Sequence, residues 1–199
     1  MKIVAFADVH ESLTARRKVE ALIKKEQPDL AICAGDFTVF EQHVEEMMNW
    51  MNKLPVPVLL IHGNHEEEVV VKKMASHRQN ITFIHKKPTV INDILFIGYG
   101  GGGFDVVDRG FEQYSKDIDA KVIKAASVVL VTHGPPHGCK LDHLHKDHVG
   151  NKSYSHYIKK HQNIVLALSG HIHENAEKED MLNRARLINP GPHGKVITV

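Results

Sequence analysis

Short apolar segments, each followed at once by a glycine or a polar side chain, set the strongest limit on how this chain can fold. The segments are four or five residues long and rich in Val, Ile and Leu, which is typical of strands buried on both faces of a sheet. The six clearest segments are Ile3–Ala7, Leu30–Ala34, Val58–Ile61, Ile94–Ile97, Val128–Val131 and Ile164–Leu168.

Stretches with apolar residues at helical spacing lie between these segments, so strands and helices alternate as in an α/β domain. Glu66, Glu67 and Glu68 come before one such stretch, where acidic residues suit the positive end of a helix dipole. The apolar stripes are Ala15, Val19, Leu22 and Ile23; Phe40, Val44, Met47, Met48 and Met51; Val70 and Met74; Ile118, Val122, Ala125 and Ala126; and Tyr154, Ile158 and His161.

Beyond Ile81 the pattern changes, because short strands follow one another without a helix between them. The last segments, Arg186–Asn189 and Val196–Val199, are predicted to pair as a hairpin across Pro190-Gly191. We therefore expect a mixed sheet content, divided between two sheets with helices outside. The 199 residues show no linker, repeat or low-complexity tract, and residues 1–199 are expected to form a single domain.

Charge and cysteine content narrow the functional classes. Lys and Arg number 25, Asp and Glu number 24, and the net charge of +1 does not indicate a basic nucleic-acid surface. No segment approaches the roughly 18 apolar residues of a membrane span, and the N-terminus does not resemble a signal peptide. The two cysteines, Cys33 and Cys139, form no disulfide framework. We expect a cytoplasmic protein without a membrane partner.

Polar residues follow five of the strands, at the point where each strand ends. Because the carboxyl ends of strands in α/β sheets meet at one crevice, we expect these side chains to converge. Asp, Asn and His together provide mixed oxygen and nitrogen ligation, which suits Mn, Fe, Zn, Ni or Co. The candidate ligands are Asp8 and His10, Asp36, Asn64, His133, and His171 with His173.

The order D-x-H, G-D, G-N-H-[DE], H and G-H-x-H resembles the motifs of the calcineurin-like metallophosphoesterases, from Asp8 to His173. An Asn189-Pro190-Gly191 turn near the end is also typical of that family. The resemblance implies an α/β fold, specifically an αββα four-layer sandwich of two mixed β-sheets flanked by helices. It also implies two divalent metal ions per chain, with Mn favoured.

The resemblance assigns roles position by position. It implies a phosphoric ester hydrolase in which a metal-bridging hydroxide attacks a small phosphodiester, with Asp36, Asn64 and His65 as catalytic residues. His65 would contact the phosphoryl group or protonate the leaving oxygen. In the phosphoprotein-phosphatase branch an Asp orients this histidine, but Val39 occupies its position here. The implied first metal set is Asp8, His10 and His173; the second is Asn64, His133 and His171; Asp36 bridges the two.

Other segments have open interpretations. Gly101 and Gly102 belong to a glycine-rich stretch that is either a flexible loop or a wall contacting a phosphate. The tract Asp105–Asp117, with Arg109, is the candidate lid or specificity wall. The His-rich stretch Pro136–Gly150 is a substrate-facing loop, a surface loop or an additional metal site, and His137 is its candidate substrate residue. His62 is expected to be buried behind the ligands.

Several functions compete. A phosphodiesterase is favoured over a phosphomonoesterase. A nuclease is disfavoured because strand binding normally needs a basic groove and stacking platforms, whereas aromatic residues make up 6% of the chain. A non-catalytic scaffold on this fold and a His-rich metal buffer are the alternatives from other classes. We expect the partner to be a small phosphate-ester substrate, with nucleic acid possible but not favoured.

Overall fold

A computed structural model describes all residues from 1 to 199 and contains two large sheets with helices on their outer faces. The helices are α1 (Leu13–Glu26), α2 (Val44–Asn52), α3 (Glu68–Ser76), α4 (Arg109–Lys124) and α5 (Lys152–Lys160). The strands are β1 (Lys2–Phe6), β2 (Leu30–Cys33), β3 (Val58–Leu60), β4 (Ile81–Phe83), β5 (Thr89–Ile91), β6 (Ile94–Tyr99), β7 (Ser127–Thr132), β8 (His143–Leu144), β9 (Asp147–His148), β10 (Ile164–Leu168), β11 (Glu179–Leu182), β12 (Ala185–Ile188) and β13 (Lys195–Thr198).

Both large sheets are mixed, as expected. The first has the order β13-β1-β2-β3-β4, and only β13 is antiparallel to its neighbour. The second has the order β11-β12-β10-β7-β6-β5, with parallel pairs in the middle and an antiparallel strand at each edge. Strands β8 and β9 form a separate small ribbon.

Three apolar clusters hold the layers together. The central cluster joins the inner faces of the two sheets, where Ile3 and Ile32 of the first sheet meet Val129 and Leu166 of the second. A second cluster packs α1, α2 and α3 on the first sheet, and a third packs α4 and α5 on the second sheet. The sequence of layers is therefore helix, sheet, sheet, helix, which confirms the predicted four-layer sandwich.

The predicted hairpin near the C-terminus is wrong. Strand β12 pairs with β10 and β11 in the second sheet, whereas β13 pairs with β1 in the first sheet. The Asn189-Pro190-Gly191 turn instead carries the chain between sheets, and the carbonyl of Gly191 accepts a hydrogen bond from the N–H of Ala7 over 3.1 Å. Pairing between distant strands has overridden the local turn signal.

Two helix-related predictions also need correction. Phe40 does not belong to the apolar stripe of α2, which begins at Val44; it lies in the preceding turn with 72% of its surface exposed. The tract Asp105–Asp117 is not a lid over most of its length, because α4 begins at Arg109 and buries Phe111 and Tyr114 in the core. No helix has the length and apolar composition needed to cross a membrane.

Candidate metal centre

The carboxyl ends of β1, β2 and β3 in the first sheet meet those of β7 and β10 in the second. The loops that follow these five strands bring acidic and imidazole side chains into three overlapping groups, in each of which the ligand atoms lie within 4.8 Å of one another. The groups are Asp8, His10 and His173; His10, Asp36 and His65; and Asp36, His133 and His171.

The first group is formed by residues from the two ends of the chain. Nε2 of His10 lies 3.1 Å from Nε2 of His173, which in turn lies 4.0 Å from Oδ1 of Asp8. Nδ1 of His10 is 2.9 Å from the carbonyl oxygen of Thr38, so this nitrogen carries the proton and donates it. Nε2 of neutral His10 therefore presents a lone pair to the group.

The group of Asp36, His133 and His171 has a similar arrangement around His133, which is fully buried. Its Nδ1 donates to the carbonyl oxygen of Ala34 over 2.9 Å, and its Nε2 lies 3.0 Å from Oδ1 of Asn64. Nε2 of His171 is buried and has no hydrogen-bond partner. A backbone carbonyl that holds one imidazole nitrogen while the other faces a polar cluster is typical of metal-ligating histidine.

Asp36 belongs to the group of His133 and His171 and also lies close to His10 of the first group. Its Oδ2 lies 3.3 Å from Nε2 of His133, 3.8 Å from Nε2 of His65 and 3.9 Å from Nε2 of His10. Its Oδ1 accepts a hydrogen bond from the backbone N–H of His65 over 3.0 Å. One carboxylate oxygen thus faces three imidazoles from three loops, which is the position required of a bridging ligand.

The ionisable side chains of the centre shift one another's pKa values. Burial raises the pKa of Asp36, but His133 outweighs that effect and holds it at about 2. Burial lowers the pKa of His133, but the hydrogen bond and charge of Asp36 raise it to about 9. Burial, followed by the charge of His133, lowers the pKa of His171 to about 4. The negative charge of Asp36 thus favours a positive charge beside it, and a bound cation would compete with a proton for that position.

Backbone conformation at the centre is strained. Four of the candidate ligands, Asp8, His10, Asp36 and His171, have φ between 43° and 69°, a region that residues other than glycine rarely adopt. Gly170 comes before one of them because a Cβ there would lie 2.5 Å from Oδ2 of Asp8. Strain of this kind persists where the surrounding structure imposes it, often at functional sites.

The donor set therefore fits divalent metal ions. The unpartnered Nε2 of His171, the lone pair of His10 and the carboxylate of Asp36 all face the same cluster. Carboxylate, amide and imidazole donors together suit first-row transition metals. The seven predicted ligands are thus close together, and the residues that could hold a metal are Asp8, His10, Asp36, Asn64, His133, His171 and His173.

Glu66 is a site residue that we assigned incorrectly from the sequence, as an acid in the first turn of a helix. Helix α3 begins at Glu68, and Glu66 is turned inward with 6% of its surface exposed. Its carboxylate accepts hydrogen bonds from the N–H groups of Asp36, Thr38 and Gly63, and from the Thr38 hydroxyl. Its place as the acidic residue of the G-N-H-[DE] pattern was the signal in the sequence that could have linked Glu66 to the site.

His65 is oriented without an aspartate. The backbone N–H of Phe40 donates to Nδ1 of His65 over 3.3 Å, and the Phe40 ring stacks on the imidazole with centroids 4.3 Å apart. Because Nδ1 accepts this bond, the neutral ring carries its proton on Nε2, the nitrogen that faces Asp36. The turn that contains Val39 thus holds His65 through its backbone.

The four candidate substrate residues do not lie among the ligands. The N–H of Gly101 donates to the carbonyl of His62 over 3.0 Å. Gly102 and Arg109 line an open cleft of about 630 Å³ together with His62, which is buried as expected. None of the seven candidate ligands lines this cleft. The ring of His137 lies 5.6 Å from that of His148 in its own loop.

Asp142 organises the His-rich loop. This fully buried carboxylate accepts hydrogen bonds from the N–H groups of Gly138, Cys139 and Gly150, and from Nδ1 of His148 over 2.7 Å. These hydrogen bonds give the loop a defined shape, which favours its interpretation as a structural surface loop. None of its histidines belongs to a group of three close metal-ligating side chains.

The chain is similar to known proteins in sequence and in fold. Residues 1–175 match the family described as calcineurin-like phosphoesterase. Protein TT1561 of Thermus thermophilus has a TM-score of 0.78 at 16% identity, covering 96% of this chain and 88% of that one. Phosphopantetheinyl hydrolase (PptH) from Mycobacterium tuberculosis has a TM-score of 0.69 at 13% identity, covering 96% and 88%.

A structure described as a novel archaeal phosphodiesterase has a TM-score of 0.53 at 19% identity, covering 96% of this chain and 84% of that one. At these identities the structural likeness establishes the fold alone. A comparison with curated protein sequences returned no match.

Proposed function

The chain belongs to the calcineurin-like phosphoesterases, and from that premise we propose that it hydrolyses small phosphodiesters at a centre that holds two divalent metal ions. The observation that carries the proposal is the position of Asp36, whose Oδ2 lies 3.9 Å from Nε2 of His10 in the first donor set and 3.3 Å from Nε2 of His133 in the second. A single shared carboxylate between two donor sets is the arrangement that a dinuclear site requires.

We assign the first ion to Asp8, His10 and His173, and the second to Asn64, His133 and His171, with Mn²⁺ as the favoured metal. The mixture of oxygen and nitrogen donors supports this choice over Mg²⁺ or Ca²⁺ alone. When bound, such ions polarise phosphoryl oxygens and acidify a water molecule, which supplies the nucleophile.

His65 acts on the substrate rather than on the metal. Its Nδ1 is engaged by the N–H of Phe40, so its Nε2–H is the group available to donate toward a phosphoryl or leaving oxygen. Glu66 and the Ala34 and Thr38 carbonyls act indirectly, because they hold the loops and imidazoles that form the centre. The proposed catalytic set is therefore Asp36, Asn64 and His65.

The preference for a small diester rests on charge and composition. The net charge of +1 and the low aromatic content provide little for a long nucleic-acid strand to bind. Hydrolysis of a monoester or of DNA at the same centre would change the substrate but not the chemistry.

A metal-exchange experiment tests the proposal. The protein is stripped with a chelator, and Mn²⁺, Ni²⁺, Co²⁺ or Zn²⁺ is restored singly. Rates are then measured with an aryl diester, an aryl monoester, a cyclic nucleotide and single-stranded DNA. We expect the highest kcat/KM for the diester with Mn²⁺. The stripped protein should be inactive, and Mn²⁺ at 100 times its Kd should stabilise it by about 2.7 kcal/mol for each occupied site.

The outcomes separate the alternatives. Hydrolysis of the monoester alone would make the protein a phosphomonoesterase. Hydrolysis of none of the four compounds, with two ions bound, would overturn the proposal in favour of a non-catalytic binding subunit. More than two tightly bound ions per chain without turnover would indicate a metal buffer.

A further inference from the structure

The two exposed phenylalanine rings of this protein both lie on histidines of the metal centre. Phe40 is 72% exposed and Phe104 is 58% exposed, and no other aromatic side chain belongs to the exposed apolar residues. The ring of Phe40 stacks on His65 with centroids 4.3 Å apart, and the ring of Phe104 lies 4.7 Å from that of His171. Exposed aromatic surface that coincides with a polar centre points to a ligand-binding role.

Both rings are within reach of the same reacting group. His65 and His171 each belong to a cluster whose ligand atoms lie within 4.8 Å of an Asp36 carboxylate oxygen. A phosphoryl group bound beside Asp36 would therefore have one phenyl ring near His65 and another near His171. A phosphodiester carries two organic groups, and the structure offers two apolar surfaces for them.

The backbone holds both rings in place. The turn of Phe40 is attached to His65 twice, since the N–H of Phe40 donates to Nδ1 and the N–H of Glu41 donates to the carbonyl of His65. Phe40 itself has φ of 47°, which is rare for an aromatic residue. Backbone strain at an exposed apolar residue lowers stability, and such strain is typical of functional sites.

Phe104 is held by the loop that follows it. The carbonyl of Asp105 accepts a hydrogen bond from Nδ2 of Asn151 over 2.8 Å, and the carbonyl of Val106 accepts one from the N–H of Lys152 over 2.7 Å. A backbone that is already held in place loses little freedom when a ligand packs against its side chain, which lowers the entropic cost of binding.

We propose that Phe40 and Phe104 are specificity-determining residues that select phosphate esters with a planar aromatic group, either an aryl or a nucleoside alcohol. The inference rests on the proposed function and names the substrate class for the same centre. Each ring has an exposed face on which such a group can stack, and aromatic contacts of this kind change affinity roughly twofold to tenfold.

Two ligands with the same head group test the proposal without turnover. Phenylphosphonate and methylphosphonate are titrated calorimetrically into the Mn²⁺-loaded protein, and their Kd values are compared. We expect the wild type to prefer phenylphosphonate at least about fivefold. In Phe40→Ala or Phe104→Ala that preference should fall roughly twofold to tenfold, while the Kd of methylphosphonate stays within about twofold. Phe→Trp at either position should restore the preference.

The control is Ile123→Ala, which removes an exposed apolar side chain of α4, 67% exposed, and should change neither Kd. The same variants are assayed with an aryl methyl diester and dimethyl phosphate, because disturbance of His65 would slow both reactions, whereas loss of stacking slows only the aryl ester. An unchanged phenyl-to-methyl ratio in both alanine variants, with esters still hydrolysed, overturns the inference alone. If neither phosphonate binds and no ester is hydrolysed, both the proposed function and this inference are overturned.

Discussion

Oε2 of Glu66 accepts a hydrogen bond from the backbone N–H of Asp36 over 3.1 Å. The same oxygen accepts from Gly63 over 2.8 Å, so one buried carboxylate fastens the loop after β2 to the loop after β3. Its other oxygen, Oε1, accepts hydrogen bonds from the backbone N–H and the hydroxyl of Thr38. Glu66 thereby determines where the carboxylate of Asp36 lies, although it does not itself face the metal ligands.

We predict that Glu66→Gln destabilises the protein and weakens metal binding. An amide nitrogen would face two buried donors, so the free energy of unfolding should fall by about 2–4 kcal/mol. Chemical denaturation and metal titration measure the two effects. The neighbouring Glu67 is exposed and its side chain makes no such hydrogen bonds. The control variant Glu67→Gln should therefore behave as the wild type. Equal stability of the two variants would show that Glu66 does not hold these loops.

Asp36→Asn should lose most of its bound metal and at least about 100-fold in kcat, because the amide removes the charge shared by both donor sets. Metal content by elemental analysis and turnover of an aryl diester check this. Asp93→Asn is the matched control, since Asp93 is exposed and its φ of 62° is tolerated by asparagine. Near-normal turnover of Asp36→Asn would contradict the dinuclear assignment.

His65→Asn should separate catalysis from metal binding. Metal content should stay at the wild-type level, whereas kcat should fall about 100- to 10,000-fold, the usual contribution of a group that donates in the transition state. Stopped assays under saturating substrate give kcat, and His77→Asn on the surface is the control. Loss of an ion from the His65 variant would instead identify His65 as a ligand.

Asp142→Asn should alter the dependence of stability on acid. Burial raises the pKa of Asp142, but its hydrogen bonds from His148, Gly138, Cys139 and Gly150 outweigh this and lower it below the usual value. A lowered carboxyl pKa stabilises the fold above about pH 4, and this contribution is lost as pH falls through the folded-state pKa.

At pH 7 the Asp142→Asn variant should therefore unfold about 2–4 kcal/mol more easily than the wild type, and the difference should shrink toward pH 3. Thermal unfolding across this range is the measurement. Asp147→Asn changes an exposed carboxylate in the same loop and should leave the pH profile unchanged. A difference that persists undiminished at pH 3 would mean that the charge of Asp142 is not responsible.

His137→Ala tests whether the His-rich loop reaches the substrate. If it does, KM for the diester should rise about tenfold through loss of a hydrogen bond to a charged ester, with kcat little changed. His145→Ala, at an exposed position of the same loop, should alter neither constant. Unchanged kcat and KM in His137→Ala would leave the loop with a structural role only.

Local patterns in the sequence predicted the strands and most helices well. Segments such as Val128–Val131 are continuous short runs of β-branched and aliphatic residues, which are typical of a strand buried on both faces. The prediction that Phe40 belongs to α2 failed because the apolar spacing of the helix continues by chance into the preceding turn. In that turn Phe40, Glu41 and His43 have a left-handed backbone, which a right-handed helix cannot include. The prediction for Glu66 failed because its position also suits a helix N-terminus. Only its hydrogen bonds to residues distant in the chain show that its side chain is buried behind the centre.

The sequence by itself determined which side chains follow the strands, and that these side chains are oxygen and nitrogen donors of the kind that hold divalent metal ions. Strand ends are encoded locally, in the change from apolar to polar residues. Only the tertiary structure decided which strands belong to each of the two sheets, that β13 pairs with β1 rather than β12, and that Phe40 and Phe104 lie against histidines of the centre. These relationships depend on contacts between residues far apart in the chain, for which local hydrophobic patterning contains no signal.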